Sequence, residues 1–280
     1  MTDYSDWIGR ETTVEEYLST APAERLAATL DAHGAGHPLQ AGDAVPPLWH
    51  WLYFMPVARQ RDLGHDGHPA TGTFIPPVPL PRRMYAGGRI TQKAPLRFGA
   101  RAAMISRIDN VVEKEGRSGP LVFVTVGHEV HQDGKLCVRE EQDIVYREMI
   151  PSGAAPAAKT GTRPAAWRET VTPDPVMLFR FSAVTFNGHR IHYDRNHATE
   201  TEGYPGLVVH GPMIAMLLLE AAERRRSATC AHYEFRAMSP LFDTEPFDLV
   251  GIKDEANDTV ELEARADDGR IAMVATARFD

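Results

Sequence analysis

The stretch Val209-His-Gly-Pro-Met-Ile-Ala-Met-Leu-Leu-Leu-Glu-Ala-Ala-Glu-Arg-Arg-Arg226 decides how this chain reads as a fold. Its apolar run from Met213 to Leu219, with Ala221 and Ala222, leaves little continuous polar face before Glu223. That pattern predicts a helix over 209–226 that is buried over most of its surface. Pro212 suits a first helical turn, and Gly211 lets another group approach the backbone closely. Arg224, Arg225 and Arg226 put three cations where the helix dipole is negative, and read as a solvated, dipole-matched end.

Strand-like segments follow this helix at Ala228–Met238, Phe247–Asp254, Thr259–Ala266 and Arg270–Phe279, with Asp268-Gly269 marking a tight hairpin. Before it, Pro175–Val184 reads as a strand and Thr185–Pro205 as a polar loop. The first half has a related plan. Residues up to Leu30 read as helical, with Thr12 or Thr13 as N-cap and Glu15 and Glu16 in the first turn. A loop over His33–Pro47 leads to Leu48-Trp-His-Trp-Leu-Tyr-Phe-Met-Pro56, read as a short helix kinked at Pro56. Residues Gly64–Pro81, rich in Gly, His and Pro, read as loop. Four strands are predicted at Met84–Pro95, Ala100–Lys114, Pro120–Gln132 and Lys135–Arg147, the last two joined by Asp133-Gly134. Pro151–Pro164 has a linker composition. The expected organisation is two copies of one unit, 1–150 and 165–280, joined by a linker at 151–164. In each, a long helix is wrapped by a curved antiparallel sheet, an α+β fold.

The 280 residues include 43% hydrophobic and 24% charged side chains, ordinary for a globular chain able to bury a core without staples. The formal net charge of -8 argues against a nucleic-acid partner held by bulk electrostatics. No apolar run approaches the ~20 residues that span a bilayer. No secretory signal is evident, and the two cysteines, Cys137 and Cys230, read as reduced thiols of a cytoplasmic protein.

Chemistry concentrates in Thr185-Phe-Asn-Gly-His-Arg-Ile-His-Tyr-Asp194, followed by Gly203-Tyr-Pro-Gly-Leu-Val-Val-His-Gly-Pro212. Imidazole, amide and carboxylate groups meet there beside a helix N-terminus. Such a terminus can hold an oxyanion, and a neighbouring imidazole can move a proton. His189, His192 and His197 also have the look of metal ligands, but the spacing lies in a loop without Cys or a clear fourth donor, so no metal is expected.

This block resembles the hydratase motif of the MaoC-like, (R)-specific enoyl-CoA hydratase superfamily, roughly Asp-x-Asn-Pro-Ile-His-x-Asp. Ile191, His192 and Asp194 match its end, while Asn187, His189 and Arg190 stand where the motif has Asp, Asn and Pro. The long form of the block looks like the branch holding mesaconyl-C4-CoA (3-methylfumaryl-CoA) hydratases, itaconyl-CoA hydratases and type 2 hydroxyacyl-thioester dehydratases. Leu48–Phe54 and Pro81–Ile90 resemble that branch as well. The resemblance implies a double hotdog whose N-terminal unit has lost the catalytic motif.

It also implies reversible hydration of an acyl-CoA, with a branched C5-dicarboxylyl-CoA first and a fatty 3-hydroxyacyl thioester second. A thioesterase or a non-catalytic acyl-CoA binder remains the alternative. His192 is the expected acid–base residue, assisted by Asn187 or Asp194. Asn187 can position a water but cannot accept its proton. Removing His192 is expected to lower turnover with little effect on folding. His210 and Gly211 are expected at the oxyanion end, and Arg190, Tyr193, Arg82 and Arg89 against the substrate, with Arg83 a further available cation. No cofactor is expected, coenzyme A being part of the substrate, and the state is monomer or homodimer.

Overall fold

Asp133 and Gly134 lie at φ 50° and 73°, the pair of left-handed residues that a two-residue hairpin requires. They join two long strands in a computed structural model that describes residues 3–31, 38–116, 119–148, 159–252 and 258–279. The first half contains β1 (Glu11–Tyr17), α1 (Thr20–Leu30), β2 (Arg82–Gln92), β3 (Arg101–Gly116), β4 (Gly119–Gln132) and β5 (Lys135–Arg147). The second contains β6 (Ala165–Val171), α2 (Pro175–Val184), α3 (Gly211–Arg226), β7 (Cys230–Ala237), β8 (Phe247–Ile252), β9 (Thr259–Ala266) and β10 (Ile271–Phe279). All ten strands form one antiparallel sheet in the order β1-β3-β4-β5-β2-β7-β10-β9-β8-β6. Read outward from the β2–β7 seam, the two halves have the same strand order, which is the double hotdog expected. The seam pairs Gly87 with Arg236 and Thr91 with His232. Gly87 is needed there, because a Cβ would lie 2.4 Å from the carbonyl oxygen of Phe235.

Four local readings are corrected. Residues 11–17 form an edge strand paired with β3, not a helix. Thr12, Thr13 and Val14 are β-branched and favour extended backbone. The helix starts only at Thr20 and buries Ala23, Leu26, Ala27 and Leu30, one face at helical spacing. The aromatic run is a single 3-10 turn, Trp49–Leu52, because Leu48 and Phe54 take φ of 69° and 61° and stop any longer helix before Pro56. Pro175–Val184 is helical. Asp174 caps it, its Oδ1 accepting from the N–H of Val176 (2.7 Å) and Met177 (2.9 Å), with Pro175 in the first turn. Strand β6 was not foreseen. The linker lies largely outside the described residues. Its end is tied down, the carbonyl of Lys159 accepting from the N–H of Ile271 at 2.8 Å.

The 3-10 turn also explains how the halves differ. In the second half α3 fills the sheet, with Met213, Ala215, Leu218 and Leu219 at 1% exposure or less, and Tyr233 Oη donates to the carbonyl of Ala215 at 3.0 Å. In the first half the corresponding place between α1 and β2 has no long helix among the described residues. The Trp49–Leu52 turn stands there, docked on the buried carboxylate of Glu140 in β5. His50 Nε2 lies 2.7 Å from Glu140 Oε2, Trp51 Nε1 donates to the same oxygen at 2.9 Å, and Tyr85 Oη donates to Oε1 at 3.4 Å. Past the turn the chain runs over the far ends of β3–β5, where Val78 packs with Ile108, Val124, Ile144 and Tyr146. That route carries residues 64–68 towards the second half. No helix among the described residues is long and apolar enough to cross a membrane.

At the end of α3, Glu223 accepts from the N–H of Cys230 at 2.7 Å. Burial pushes its carboxyl up to about 7, against that hydrogen bond and helped by Glu220. The folded state therefore holds a proton that the unfolded chain releases near 4.5, and stability is lost as pH rises from there through about 7. Glu223→Gln is expected to stabilise the protein at pH 8 by on the order of 1 kcal/mol, discounted for partial exposure, and to do little at pH 4. Melting temperatures at the two pH values check this.

Candidate active site

His210 caps α3 in extended conformation (φ -63°, ψ 128°), and the first helical bond runs from the N–H of Ile214 to its carbonyl at 3.1 Å. The N–H groups of Gly211 and Met213 precede that bond and have no helical acceptor, and Pro212 has no N–H. A Cβ placed on Gly211 would meet nothing within 4 Å, so space opens over the helix N-terminus. The His210 ring itself turns inward. It is fully buried, its Nε2 lies 2.8 Å from Ser182 Oγ on α2, and it stacks on His192 with centroids 3.7 Å apart. Burial, then the neighbouring His192, pushes its pKa well below that of an ordinary imidazole, so the ring is neutral. Its Nδ1 has no hydrogen-bond partner among the described residues.

His192 lies in a 3-10 turn, Arg190–His192, and is buried. Its Nδ1 is 2.7 Å from the carbonyl oxygen of Val208. A carbonyl only accepts, so Nδ1 carries the hydrogen and Nε2 presents the lone pair. Burial, then His189, lowers the ring to about 3. His192 is therefore a neutral imidazole, oriented by backbone, with the lone pair of Nε2 available to accept a proton.

The other expected residues occupy more varied places. Asn187 Oδ1 accepts from the N–H of His189 at 3.0 Å and so shapes the loop. Asp194 does not orient His192. Its Oδ2 pairs with Arg190 Nη2 at 2.7 Å and its Oδ1 accepts from the N–H of His197 at 3.1 Å. Arg190 also donates to the carbonyl of His65 at 3.1 Å, and Tyr193 Oη donates to the carbonyl of Gly188 at 2.9 Å. Arg82 reaches the carbonyl of Glu202 at 2.6 Å and its carboxylate at 3.2 Å. Arg89 is held on the sheet by Glu141 (2.6 Å) and Asp143 (2.8 Å), both on β5 and neither in the 185–194 loop. His197 turns towards Glu202, with Nε2 3.9 Å from the carboxylate, so it does not join His189 and His192 around a common point.

Sequence reasoning passed over Asp66 and His68, which read only as loop. The loop Gly64-His-Asp-Gly-His-Pro69 is clamped to the motif loop. The N–H of Arg190 donates to the carbonyl of Asp66 at 2.8 Å, and a Cβ on Gly67 (φ 87°) would lie 2.0 Å from the carbonyl oxygen of Gly188. Asp66 Oδ2 lies 2.9 Å from His68 Nδ1, and the His68 ring is 4.1 Å from that of His189. His189 in turn stands edge-on to His192 at 5.4 Å. Burial pushes Asp66 up, but hydrogen bonds from His68 and its charge outweigh this and hold the carboxyl below its usual range. Burial, then His68, lowers His189 to about 3. The donor atoms of Asp66, His68 and His189 lie within 4.8 Å of one another. One contact in that set is already an Asp–His hydrogen bond, which suits proton handling. The density of His, Asp and Gly in one hexapeptide was the signal that could have found them.

A double hotdog carrying a neutral, backbone-oriented imidazole beside an open helix N-terminus has the apparatus of an acyl-thioester hydro-lyase. The comparisons with known proteins agree. The family described as hydroxyacyl-thioester dehydratase type 2 matches residues 48–243. The mesaconyl-C(4)-CoA hydratase of Chloroflexus aurantiacus is 50% identical over 280 residues, covering 99% of this chain and 98% of that protein. Among solved structures, HtdX of Mycobacterium tuberculosis superposes with a TM-score of 0.67 at 20% identity, covering 97% of this chain and 100% of that one. A second M. tuberculosis protein, described as having a double hotdog fold, gives 0.57 at 13% identity, with 97% and 96% covered. The two structural likenesses bear on fold alone. The chain belongs to the hydroxyacyl-thioester dehydratase type 2 family.

Proposed function

We propose that the protein adds water reversibly across the double bond of a branched C5-dicarboxylyl-CoA of the mesaconyl-C4-CoA type. The observation that carries this reading is the pairing of His192 Nε2, left unprotonated because Nδ1–H is held by Val208, with the open N-terminus of α3. The water oxygen bonds to the β-carbon while one of its protons passes to His192 Nε2. The π electrons move onto the thioester oxygen, where the N–H groups at Gly211 and Met213 hold the enolate charge. The α-carbon then takes a proton, which completes addition. Donors of this kind contribute about 10²–10³ in rate elsewhere. The steps use protein groups and the acyl carrier, with no further cofactor.

Arg83 is our candidate for the distal carboxylate. Arg82, Arg89 and Arg190 are each already paired with a carboxylate. Arg83 is half-buried, and its charge acts on His189, inside the site. Arg83→Gln is expected to raise KM for a dicarboxylyl substrate about tenfold or more, the worth of one charged hydrogen bond, and to leave KM for crotonyl-CoA unchanged. Steady-state kinetics on both substrates check it.

The test of the function is parallel incubation with mesaconyl-C4-CoA, itaconyl-CoA and crotonyl-CoA, following enoyl absorbance, free thiol and product mass. Gain of one water on mesaconyl-C4-CoA without thiol release is the expected result. Release of thiol would make the protein a thioesterase, and binding without change would make it an acyl-CoA carrier. A cytoplasmic location is part of the same proposal, in keeping with the two free, buried cysteines.

A further inference from the structure

We propose that the hydratase site is composite, with the Asp66–His68 pair of the N-terminal half completing the proton machinery through His189 and replacing the carboxylate that the motif lacks at Asn187. This rests on the reading above.

No carboxylate is free at the place where the motif has its first Asp. Asn187 is an amide whose oxygen is spent on the N–H of His189, and Asp194 is spent on Arg190 and the N–H of His197. Neither carboxamide nor carboxylate of the motif loop is therefore hydrogen-bonded to an imidazole ring of the site. Asp66 is. Its Oδ2 accepts the Nδ1–H of His68, which leaves His68 Nε2 as the atom that gains and loses a proton.

The two loops are also built together. An Asx turn at Asp66 would need only the contact from the N–H of His68 to Oδ1, present at 3.1 Å. It would not need the His68 ring against His189, nor three separate ties between the loops. Those ties are the Arg190 N–H on the Asp66 carbonyl, the Arg190 guanidinium on the His65 carbonyl, and the Gly67–Gly188 backbone contact. They hold residues 65–68 in register with the motif loop to within a hydrogen bond. The result is a continuous row: Asp66, His68, His189 and His192, each ring in contact with the next.

In the forward reaction His192 takes one proton from water as the C–O bond forms. The thioester enolate then takes a proton at its α-carbon from one nitrogen of His189, whose other nitrogen is reprotonated by His68. His192 afterwards returns the water-derived proton to His68 along the same row. One water is consumed, its hydroxyl on the β-carbon and its proton balance on the α-carbon, and every ring ends as it began. His189 is the catalytic residue of this arm, and His68 and Asp66 are positioning residues that act through it.

The test uses the full chain. His68→Ala is expected to lower kcat about 10²-fold, with KM for mesaconyl-C4-CoA and binding of a saturated acyl-CoA changed less than about threefold. Exchange of the product α-proton with D2O should slow in parallel, and added imidazole should restore activity, since the His68 side chain is 23% exposed. Asp66→Asn, which keeps the shape, should give a smaller loss of the same kind and serves if His68→Ala does not fold. A folded variant with unchanged kcat, a loss confined to KM or stability without imidazole rescue, or a wild-type activity abolished by EDTA and restored by zinc would each overturn the relay. Wild-type enzyme that adds water to no substrate would remove the functional reading itself, an outcome read before any variant is made.

Discussion

His192→Gln is expected to lower kcat by about 10³-fold, inside the range of removing a positioned acid–base group, while substrate binding holds. Gln keeps a donor for the Val208 carbonyl, which His192 Nδ1 meets at 2.7 Å. His192→Ala will lose the same activity but will also destabilise the protein by about 1–3 kcal/mol, because it leaves that buried carbonyl unpaired. The Val208 contact thus predicts a larger folding cost for His192→Ala than the little effect expected from sequence. The pH behaviour follows from the same burial. His189 and His192 fall to about 3, and His210 well below its usual value, whereas each takes a proton near 6.5 when unfolded. The unfolded state then binds more protons in that window, so stability is full above about 6.5 and is lost as pH falls towards 3. Denaturant titrations of wild type and His192→Gln between pH 7 and 4.5 should show a shallower decline in the variant. Equal slopes would mean that His192 is not the buried neutral group described.

Glu140→Ala is expected to cost about 3–5 kcal/mol, the usual penalty for breaking a buried charged pair from one side. Glu140 is 4% exposed and receives His50, Trp51 and Tyr85. Burial pushes its carboxyl up, but the His50 bond and charge, His128 and Trp51 together pull it below its ordinary value. Its contribution is therefore present above about 4.5 and is lost as pH falls through the lower folded value. Loss of the carboxylate frees the Trp49–Leu52 turn, which stands where the first half has no long helix among the described residues. Since the chain after that turn delivers Asp66 and His68, activity should fall with stability. Urea unfolding and kcat measured on the same preparation check both, and a variant as stable as wild type would show that the turn is held by apolar packing alone.

The elements that were legible share one property: their cause is local. Asp133-Gly134 makes a hairpin because both residues tolerate positive φ, and α3 is buried because its own side chains leave no polar face. The motif loop was legible for a related reason, since Asn187, His189, His192 and Asp194 fall within eight residues of chain. Where reading failed, a local cue was overruled or ignored. Asp174-Pro175 is a cap followed by a first-turn proline, which should have outweighed the apolar run after it. Thr12 and Thr13 suit a cap as well as a strand, and pairing with β3 decided for the strand.

What the chain order could not contain is the meeting of distant loops. Nothing in Gly64–Pro69 says that its Asp–His pair will lie against His189, because that contact depends on where the seam between β2 and β7 sets one half against the other. Arg82, Arg89 and Arg190 looked alike as free cations, and only the fold supplied each with its carboxylate. Sequence by itself determined eight of the ten strands, the buried helix and the residue type at the centre of the site. Tertiary structure decided which nitrogen of His192 carries the lone pair, which carboxylate meets His68 beside the motif loop, and that a single turn docked on Glu140 stands in for a helix. The physical reason is that propensity and hydrophobic period act between neighbours in sequence, whereas proton affinity and ion pairing depend on burial and on partners brought from elsewhere.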